Sequence, residues 1–340
     1  MYRQFYKLTG SPFQLSPDPE FFFGSRGHKR ALAYLQYGVQ QGEGFIAITG
    51  DIGAGKTTLA RSLLAHLDTS KYVAGQVVST QMDAGDVLRS VAASFGVTIK
   101  GRDKASILFA IEGFLTMAAM QRRRALLIVD EAQNLTLRAL EELRMLSNFQ
   151  VENRALLQSF LIGQPQLRPI LQRPELQQLR QRIIASYHLG PIDREETQAY
   201  VEHRLKHVGS NGDPRFEPAA FDEIFRITHG IPRRINTLCN RVLLAGSLAD
   251  KHVLDGSDVL SAAAEIEEEL GGYVPPPDVM PTRGAVHQRR GAEPAEESAI
   301  FSQLDARLTR VESTVSATAN AVRQMVRDVR GEKDELETVR

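Results

Sequence analysis

The sequence has a single cysteine, no excess of charge of either sign and no long apolar run. Because Cys239 has no second cysteine to pair with, an internal disulfide is excluded. A single cysteine suits a reducing cytosol. The apolar neighbours of Cys239 predict a buried helix position and not a reactive thiol. Lysine plus arginine equals aspartate plus glutamate, 41 each, so no overall field draws the chain to nucleic acid or to an anionic membrane.

The amino terminus lacks the long apolar stretch and the small-residue cleavage site of a signal peptide. No uncharged apolar run approaches the ~20 residues that a membrane-spanning helix needs. We therefore expect a cytoplasmic protein with, at most, a peripheral membrane role.

At 340 residues and 42% apolar content, the chain can form one large domain or two ordinary ones around a buried core.

A phosphate-binding loop is the most informative feature of the sequence. The pattern G-x-x-x-x-G-K-[S/T] is matched by Gly50, Asp51, Ile52, Gly53, Ala54, Gly55, Lys56 and Thr57, with Thr58 following. An apolar β-branched run precedes the loop and a helical spacing of leucines follows it, which is the context that the motif requires. In that context backbone N–H groups bind nucleotide phosphates, the lysine reaches the β and γ oxygens, and the Thr57 hydroxyl takes a place on Mg²⁺.

A second motif at residues 126–133 is an apolar strand that ends in Asp130 and Glu131. Asp130 is expected to hold Mg²⁺ through water. Glu131 is suited to orient and polarise the water that attacks the γ-phosphate. The pair predicts nucleotide hydrolysis and not binding alone.

Four further polar residues are candidates for the same site. Gln164 follows a third strand and would lie between the two motifs as a sensor, although Gly163-Gln164-Pro165 is also an ordinary turn sequence. Arg180 and Arg182 precede the last strand, where one of them could project as an arginine finger into a neighbouring subunit's site. Arg233 opens a helix of the second domain, from which it could reach the nucleotide.

Short apolar strands alternate with helical patterns in the first part of the chain, which predicts an α/β fold whose parallel sheet has helices on both faces. Strands are expected at residues 45–49, 73–79, 125–130, 156–163 and 183–189. A small all-helical domain follows. Its helices are expected at residues 194–208, 217–228, 232–249 and 257–269. Asp193 is predicted to cap the first of them, with Glu196 as the glutamate of a capping box.

The carboxyl-terminal part has a different composition. Residues 271–298 are rich in proline and glycine, which predicts an extended linker. Beyond it, apolar residues follow a strict 3,4 spacing between Phe301 and Val329, with Thr318 as the one weakly apolar position. This pattern predicts a coiled coil that self-associates, pairs with a partner helix or packs back on the body.

Together these motifs resemble the AAA+ ATPases, and over most of residues 1–270 the match becomes closer. The sequence is similar to the general secretion pathway protein A family, and most similar to the form encoded with exosortase and PEP-CTERM exopolysaccharide loci. Besides the phosphate loop, the resemblance rests on Tyr6, Leu8, Phe13, Leu15, Pro17, Asp18, Pro19, Phe22, Phe23, Gly27, His28, Ala31, residues 129–133, residues 161–165 with Leu167, and Leu179, Gln181, Arg182 and Ile183.

The resemblance implies a P-loop NTPase of the AAA+ type that binds ATP and Mg²⁺, with Gln164 as sensor 1, Arg233 as sensor 2, and Arg182 or Arg180 as the finger. It implies that an aromatic amino-terminal segment covers the adenine. We therefore expect five segments: an amino-terminal linker (1–27), a nucleotide-binding domain (28–191), a helical lid (192–270), a disordered linker (271–298) and a coiled-coil helix (299–340).

The function expected from this resemblance is ATP hydrolysis by an oligomeric ring or spiral that serves envelope export or assembly, with peripheral attachment to an inner-membrane export complex. Partners are further copies of the chain and a coiled-coil partner of residues 301–329. Two alternatives stay open: a DNA-associated regulator of the transposition-ATPase type, and a slow nucleotide-dependent scaffold that acts through its coiled coil.

Overall fold

A computed structural model describes residues 1–79, 81–101 and 103–269, which lie in one compact unit. The predicted linker and coiled coil lie outside the described residues. Among the helices that are described, none combines the length and the apolar character needed to cross a membrane.

The amino-terminal segment and the α/β part make up the first 189 residues. In chain order their elements are α1 (Tyr2–Phe5), α2 (Arg26–Gln41), β1 (Phe45–Gly50), α3 (Lys56–Ala65), β2 (Tyr72–Val78), α4 (Ala84–Ser94), α5 (Lys104–Met120), β3 (Arg124–Asp130), α6 (Leu137–Leu146), β4 (Gln150–Val151), β5 (Arg154–Ala155), β6 (Leu157–Gly163), α7 (Leu167–Leu171), α8 (Gln177–Arg180) and β7 (Ile183–Leu189). Short 3-10 turns lie at Pro19–Phe21, Ala132–Asn134 and Pro174–Leu176.

A five-stranded parallel sheet has the strand order β2-β3-β6-β1-β7, which confirms the predicted α/β fold. Strands β1 and β6 are buried along their whole length, as is β3 after its first residue. Such burial explains why they read as continuous apolar runs. Because all five strands run the same way, the ends of β1, β3 and β6 lie side by side at one edge of the sheet.

Helices cover both faces of this sheet. Alternate residues of β1 point to opposite sides, so that Phe45 and Ala47 pack in one apolar cluster with α4, α5 and α6, whereas Ile46 and Ile48 pack in a second cluster with α2 and α3. Each face is therefore closed by helices, as a parallel sheet requires. The short hairpin β4–β5, which the sequence pattern did not predict, lies between α6 and β6.

The second part is helical apart from one short strand pair. It comprises α9 (Arg194–His207), β8 (Arg215–Phe216), α10 (Pro218–Thr228), α11 (Pro232–Leu248), β9 (Val253–Leu254) and α12 (Gly256–Glu269). The four predicted helices are all present. The parallel pair β8–β9 corrects the expectation that this part is purely helical, because two-residue strands are too short to show an alternating pattern.

The amino-terminal segment packs into the core of the helical part. Tyr6, Leu8 and Phe13 are buried in the same apolar cluster as Tyr200 and Leu243. The Tyr6 hydroxyl donates a hydrogen bond to the Lys251 carbonyl oxygen, and burial raises the pKa of Tyr6 to about 12. The segment is therefore fixed to the helices that follow the sheet.

The start of α9 shows half of the predicted capping box. The Asp193 carboxylate accepts a hydrogen bond from the Glu196 N–H at 2.9 Å, as an N-cap does. The Glu196 carboxylate does not return to Asp193 and instead accepts from the Arg26 N–H at 2.6 Å. Because Arg26 is the first residue of α2, this contact ties the helical part to the α/β part beside the phosphate loop.

Candidate functional site

The phosphate loop connects the end of β1 to the start of α3. Gly53 and Gly55 have φ values of +83° and +95°, in the left-handed region that favours glycine. A Cβ on Gly53 would lie 2.4 Å from Cβ of Arg233, which is an overlap. The loop and the start of α11 are therefore too close for any side chain at position 53. The glycines of the motif therefore serve the loop conformation and its contact with the helical part.

Lys56 lies inside the loop. Its Nζ donates to the carbonyl oxygens of Gly50 at 2.8 Å and Asp51 at 2.9 Å, and the residue is 5% exposed. Burial lowers the pKa of Lys56, and the carboxylates of Glu131, Asp130 and Asp51 oppose that shift. The ammonium therefore lies next to the acidic end of β3, where a phosphate group on the loop would meet it.

Thr57 and Asp130 form the oxygen pair expected for Mg²⁺. The Thr57 hydroxyl donates to Oδ2 of Asp130 at 2.7 Å, and Asp130 is 2% exposed. Within the described ranges there is no group of three or more His, Cys, Asp or Glu residues that could hold a metal by itself. A hydroxyl and one carboxylate fit Mg²⁺, which binds one or two protein oxygens and completes its shell with phosphate and water.

Glu131 accepts hydrogen bonds from two glutamine side chains. Nε2 of Gln133 lies 2.6 Å and Nε2 of Gln164 lies 3.1 Å from Oε2 of Glu131. The structure thus brings Gln164 next to Glu131, at the edge where β3 and β6 end. Gln133 is a site residue that the sequence reasoning missed, although it lies only two positions beyond Glu131.

Arg233 lies at the start of α11 and lines the cavity above the loop together with Lys56, Thr57, Thr58 and Glu131. Its backbone N–H donates to the Gly53 carbonyl oxygen at 3.1 Å. The structure therefore places Arg233 beside the phosphate loop, as expected for a residue that reaches the nucleotide from the helical part.

Neither Arg180 nor Arg182 lines this cavity. Arg182 precedes β7, at the sheet edge opposite the loop, and its guanidinium donates to the carbonyl oxygen and the hydroxyl of Ser147 at 3.0 and 2.9 Å. Arg180 is exposed and donates to the Gln172 carbonyl oxygen at 3.0 Å. The structure therefore does not bring either arginine to the cavity above the phosphate loop of its own chain.

A further part of the cavity wall comes from residues outside the phosphate loop and the acidic motif. The segment 14–17 lies along it, together with Tyr200, Arg204 and Asn236 from the helical part. The Tyr200 hydroxyl donates to Oδ1 of Asn236 at 2.8 Å. Nη1 of Arg204 donates to the Pro12 carbonyl oxygen at 2.7 Å, and the guanidinium lies over the Phe21 ring at 5.0 Å. Arg204 therefore anchors the amino-terminal segment that forms this wall.

The aromatic residues Phe21, Phe22 and Phe23 line a smaller adjoining cavity with His28 and Thr58. His28 is buried, with Nδ1 2.7 Å from Oγ of Ser25 and Nε2 3.1 Å from the Ala54 carbonyl oxygen. A carbonyl only accepts, so Nε2 carries the proton. Burial lowers the pKa of His28, and the Ala54 carbonyl and Glu196 oppose the shift. His28 is thus a neutral side chain that holds the phosphate loop.

Comparison with known proteins agrees with this geometry. Residues 39–171 match the family model described as an AAA domain. General secretion pathway protein A of Aeromonas hydrophila is 39% identical over 267 residues, which cover 78% of this chain and 48% of that protein. The chain thus spans about half the length of the curated relative it matches.

Solved structures share the fold at low sequence identity. The Aeropyrum pernix ORC2 protein in its ADPNP-ADP complexes is 19% identical with a TM-score of 0.56, covering 71% of this chain and 67% of that one. Drosophila ORC bound to DNA is also 19% identical with a TM-score of 0.56, covering 78% and 65%. This chain therefore has the P-loop fold of the AAA+ type, carries an AAA domain at residues 39–171 and is similar to general secretion pathway protein A.

Proposed function

We propose that this protein binds ATP with Mg²⁺ and hydrolyses it as an oligomeric AAA+ ATPase that drives or regulates an envelope export or assembly system. The observation that carries the proposal is the position of Glu131. Its carboxylate lines the same cavity as Lys56 and Thr57, at the carboxyl edge of the sheet. A carboxylate there is placed to take a proton from a water molecule beside the γ-phosphate.

The other residues bind and orient. The loop N–H groups and Lys56 hold the phosphates, and Thr57 with Asp130 supplies oxygens for Mg²⁺, which when bound offsets the charge of the phosphates. Gln164 is the sensor of the γ-phosphate in this proposal, and Arg233 is the contact from the helical part. Residues 14–17 with Tyr200 and Asn236 form the wall for the base.

The site is proposed to be completed by a second copy of the chain. The cavity contains Lys56 and Arg233 but neither of the two candidate finger arginines, which lie on another surface. Of these, Arg180 is the better candidate because it is exposed and donates one hydrogen bond, to Gln172, whereas the half-buried Arg182 donates to both the carbonyl oxygen and the hydroxyl of Ser147. An arginine supplied in trans would offset the charge of the transition state.

The export role is proposed from the similarity to general secretion pathway protein A. We propose that the exported products are secreted proteins, or exopolysaccharide and PEP-CTERM proteins. The ATPase would act at the cytoplasmic face of the inner membrane. In the organism that carries the gene, a chromosomal Glu131→Gln allele should block export of one of these classes of product. Normal export of both would contradict this role.

The biochemical test is ATP turnover and light-scattering mass of the purified chain. Glu131→Gln should bind ATP, assemble and hydrolyse it at only a small residual rate, whereas Lys56→Ala should neither bind nor assemble. Glu112→Gln, a matched change at an exposed glutamate on α5, should behave as wild type. Identical behaviour of the first two variants would overturn the mechanism. Turnover that requires duplex DNA would favour a DNA-associated regulator instead.

A further inference from the structure

The side-chain carboxamide of Gln133 is hydrogen-bonded to both Glu131 and Gln164. Its Nε2 donates to Oε2 of Glu131 at 2.6 Å, while its Oε1 accepts from the backbone N–H of Gln164 at 2.9 Å. One side chain therefore connects the end of β3 to the end of β6.

The orientation of this carboxamide is fixed by chemistry. The Gln164 backbone N–H can only donate, so the oxygen of the Gln133 carboxamide must face it. The nitrogen then faces Glu131, whose carboxylate can only accept while it is ionised. Rotating the amide by half a turn would place a donor against a donor and an acceptor against an acceptor.

The backbone around Gln133 is shaped for this contact. A Cβ on Gly163 would lie 2.7 Å from Oε1 of Gln133, closer than real Cβ contacts allow. Gly163 is the residue before Gln164, and its missing side chain leaves the space that the carboxamide fills. Glu131 itself has φ +54° and ψ +38°, a left-handed conformation that costs a non-glycine residue roughly 1–2 kcal/mol. Local contacts must hold it there.

We propose that Gln133 is a positioning residue for ATP hydrolysis, which fixes the Glu131 carboxylate through Oε2 and leaves Oε1 to receive the proton of the attacking water. The inference rests on the proposed function, since it assigns a task within that hydrolytic site. In the described residues, both side-chain donors to the Glu131 carboxylate reach Oε2.

The two glutamines have different tasks in this proposal. Gln164 is the residue whose side chain turns to the γ-phosphate, which removes its 3.1 Å contact with Glu131. Gln133 has its oxygen fixed by a backbone N–H and therefore stays on Glu131 throughout turnover. Loss of Gln133 should consequently slow hydrolysis without weakening ATP binding.

The test compares Gln133→Met, which keeps the side-chain length without donor or acceptor, with Gln133→Glu, which keeps the acceptor and loses the donor. Both should lower kcat about tenfold or more, because a general base contributes about 10²–10⁴-fold to such a reaction. The Kd for ATP should stay near wild type, whereas the Tm should fall modestly because each variant removes the hydrogen bond to Glu131. Gln36→Met, at an exposed glutamine on α2, is the matched control.

A double-mutant cycle distinguishes positioning from a general structural role. If Gln133 acts through Glu131, Gln133→Met should cause no further loss of turnover in a Glu131→Gln background. An equal fold-loss in both backgrounds would overturn the proposal, as would wild-type kcat in Gln133→Met. Should Gln133→Met not fold, Gly163→Ala provides the second variant. Its Cβ would overlap Oε1 of Gln133 at 2.7 Å, and its next contact is the flexible end of Leu167, at 3.1 Å. Absence of ATP turnover in the wild-type chain would refute the proposed function instead.

Discussion

Oγ1 of Thr57 and Oδ2 of Asp130 lie 2.7 Å apart although 73 positions separate the two residues in the chain. The contact exists because β3 and β1 both end at the same sheet edge, with only β6 between them. It links the first residues of α3 to the acidic end of β3, and it sets the two protein oxygens that Mg²⁺ would use.

Removing the Thr57 hydroxyl should therefore weaken the effect of Mg²⁺ on nucleotide binding. Thr57→Val keeps the shape of the side chain and loses the oxygen, so the ATP affinity gained on adding Mg²⁺ should fall about tenfold or more, the factor that about 1.4 kcal/mol represents. Thr57→Ser should restore it. Titration of a fluorescent ATP analogue with and without Mg²⁺ measures the difference, and an unchanged Mg²⁺ effect in Thr57→Val would contradict the assignment.

A second prediction separates the two candidate finger arginines. Arg182→Ala leaves the Ser147 carbonyl without its charged donor, so the Tm should fall, whereas Arg180→Ala should leave the Tm unchanged. If Arg180 acts in trans, Arg180→Ala and Glu131→Gln, which still assembles, should each be almost inactive. A mixture of the two should recover turnover at interfaces that pair an intact Glu131 with an intact Arg180. A mixture as inactive as its parts would exclude Arg180 as the finger.

The sheet and the charged end of the site could be predicted from the sequence, because their signals are local. Buried parallel strands are continuous apolar runs, and the phosphate loop is a contiguous motif whose geometry follows from its glycines. Once the strands are parallel, Asp130 and Gln164 lie at the same end of the sheet as the loop. Each of these conclusions needs no knowledge of tertiary packing.

The base wall and the supports of the loop could not be predicted in this way. Arg204 lies on α9, which has no amphipathic stripe, and Asn236 lies on the amphipathic helix α11. Only folding brings the two residues to residues 12–17. His28 is one histidine near the start of a helix, and nothing local shows that it meets Ala54. The capping-box expectation for Glu196 was wrong because Arg26, distant in sequence, supplies the donor that its carboxylate accepts.

Arg204 should control affinity for the base and not for the phosphates. Arg204→Met removes the charged donor to the Pro12 carbonyl oxygen, a hydrogen bond of a kind that contributes about 1.5–3 kcal/mol. The segment 14–17 should then move, with some loss of Tm, and ATP affinity should fall about tenfold while affinity for inorganic tripolyphosphate stays the same. Calorimetric titration with both ligands tests this, and equal losses for both would show a general effect on the loop.

His28 should make stability depend on pH. Because burial lowers its pKa in the folded protein below the ordinary value of about 6.5, the unfolded chain binds more protons as pH falls. The stability is therefore present above about pH 6.5 and lost below it. His188 and His203 also have pKa values lowered by burial and add to the loss. The drop in Tm between pH 7.5 and 5.5 should be smaller in His28→Gln than in wild type, and an equal drop would contradict this role.

The close approach of Gly53 to Arg233 should make position 53 critical for nucleotide binding beyond its backbone strain. Gly53 and Gly96 have similar φ values of +83° and +70°, but an added Cβ would overlap Arg233 at Gly53 and would meet nothing within 4 Å at Gly96. Both alanine variants should therefore lose roughly 1–2 kcal/mol of stability from the left-handed conformation. Only Gly53→Ala should displace α11 from the loop.

The matched pair isolates the contact between the loop and α11. Nucleotide affinity should fall about tenfold or more in Gly53→Ala, the equivalent of about 1.4 kcal/mol, and stay at the wild-type value in Gly96→Ala. Measuring Tm and ATP affinity for both variants separates the two effects, since strain lowers Tm in both and the overlap lowers affinity in one. Equal affinity losses would mean that strain alone weakens binding. Unchanged affinity in Gly53→Ala would contradict the prediction, because it would mean that nucleotide binding does not depend on the contact between Gly53 and Arg233.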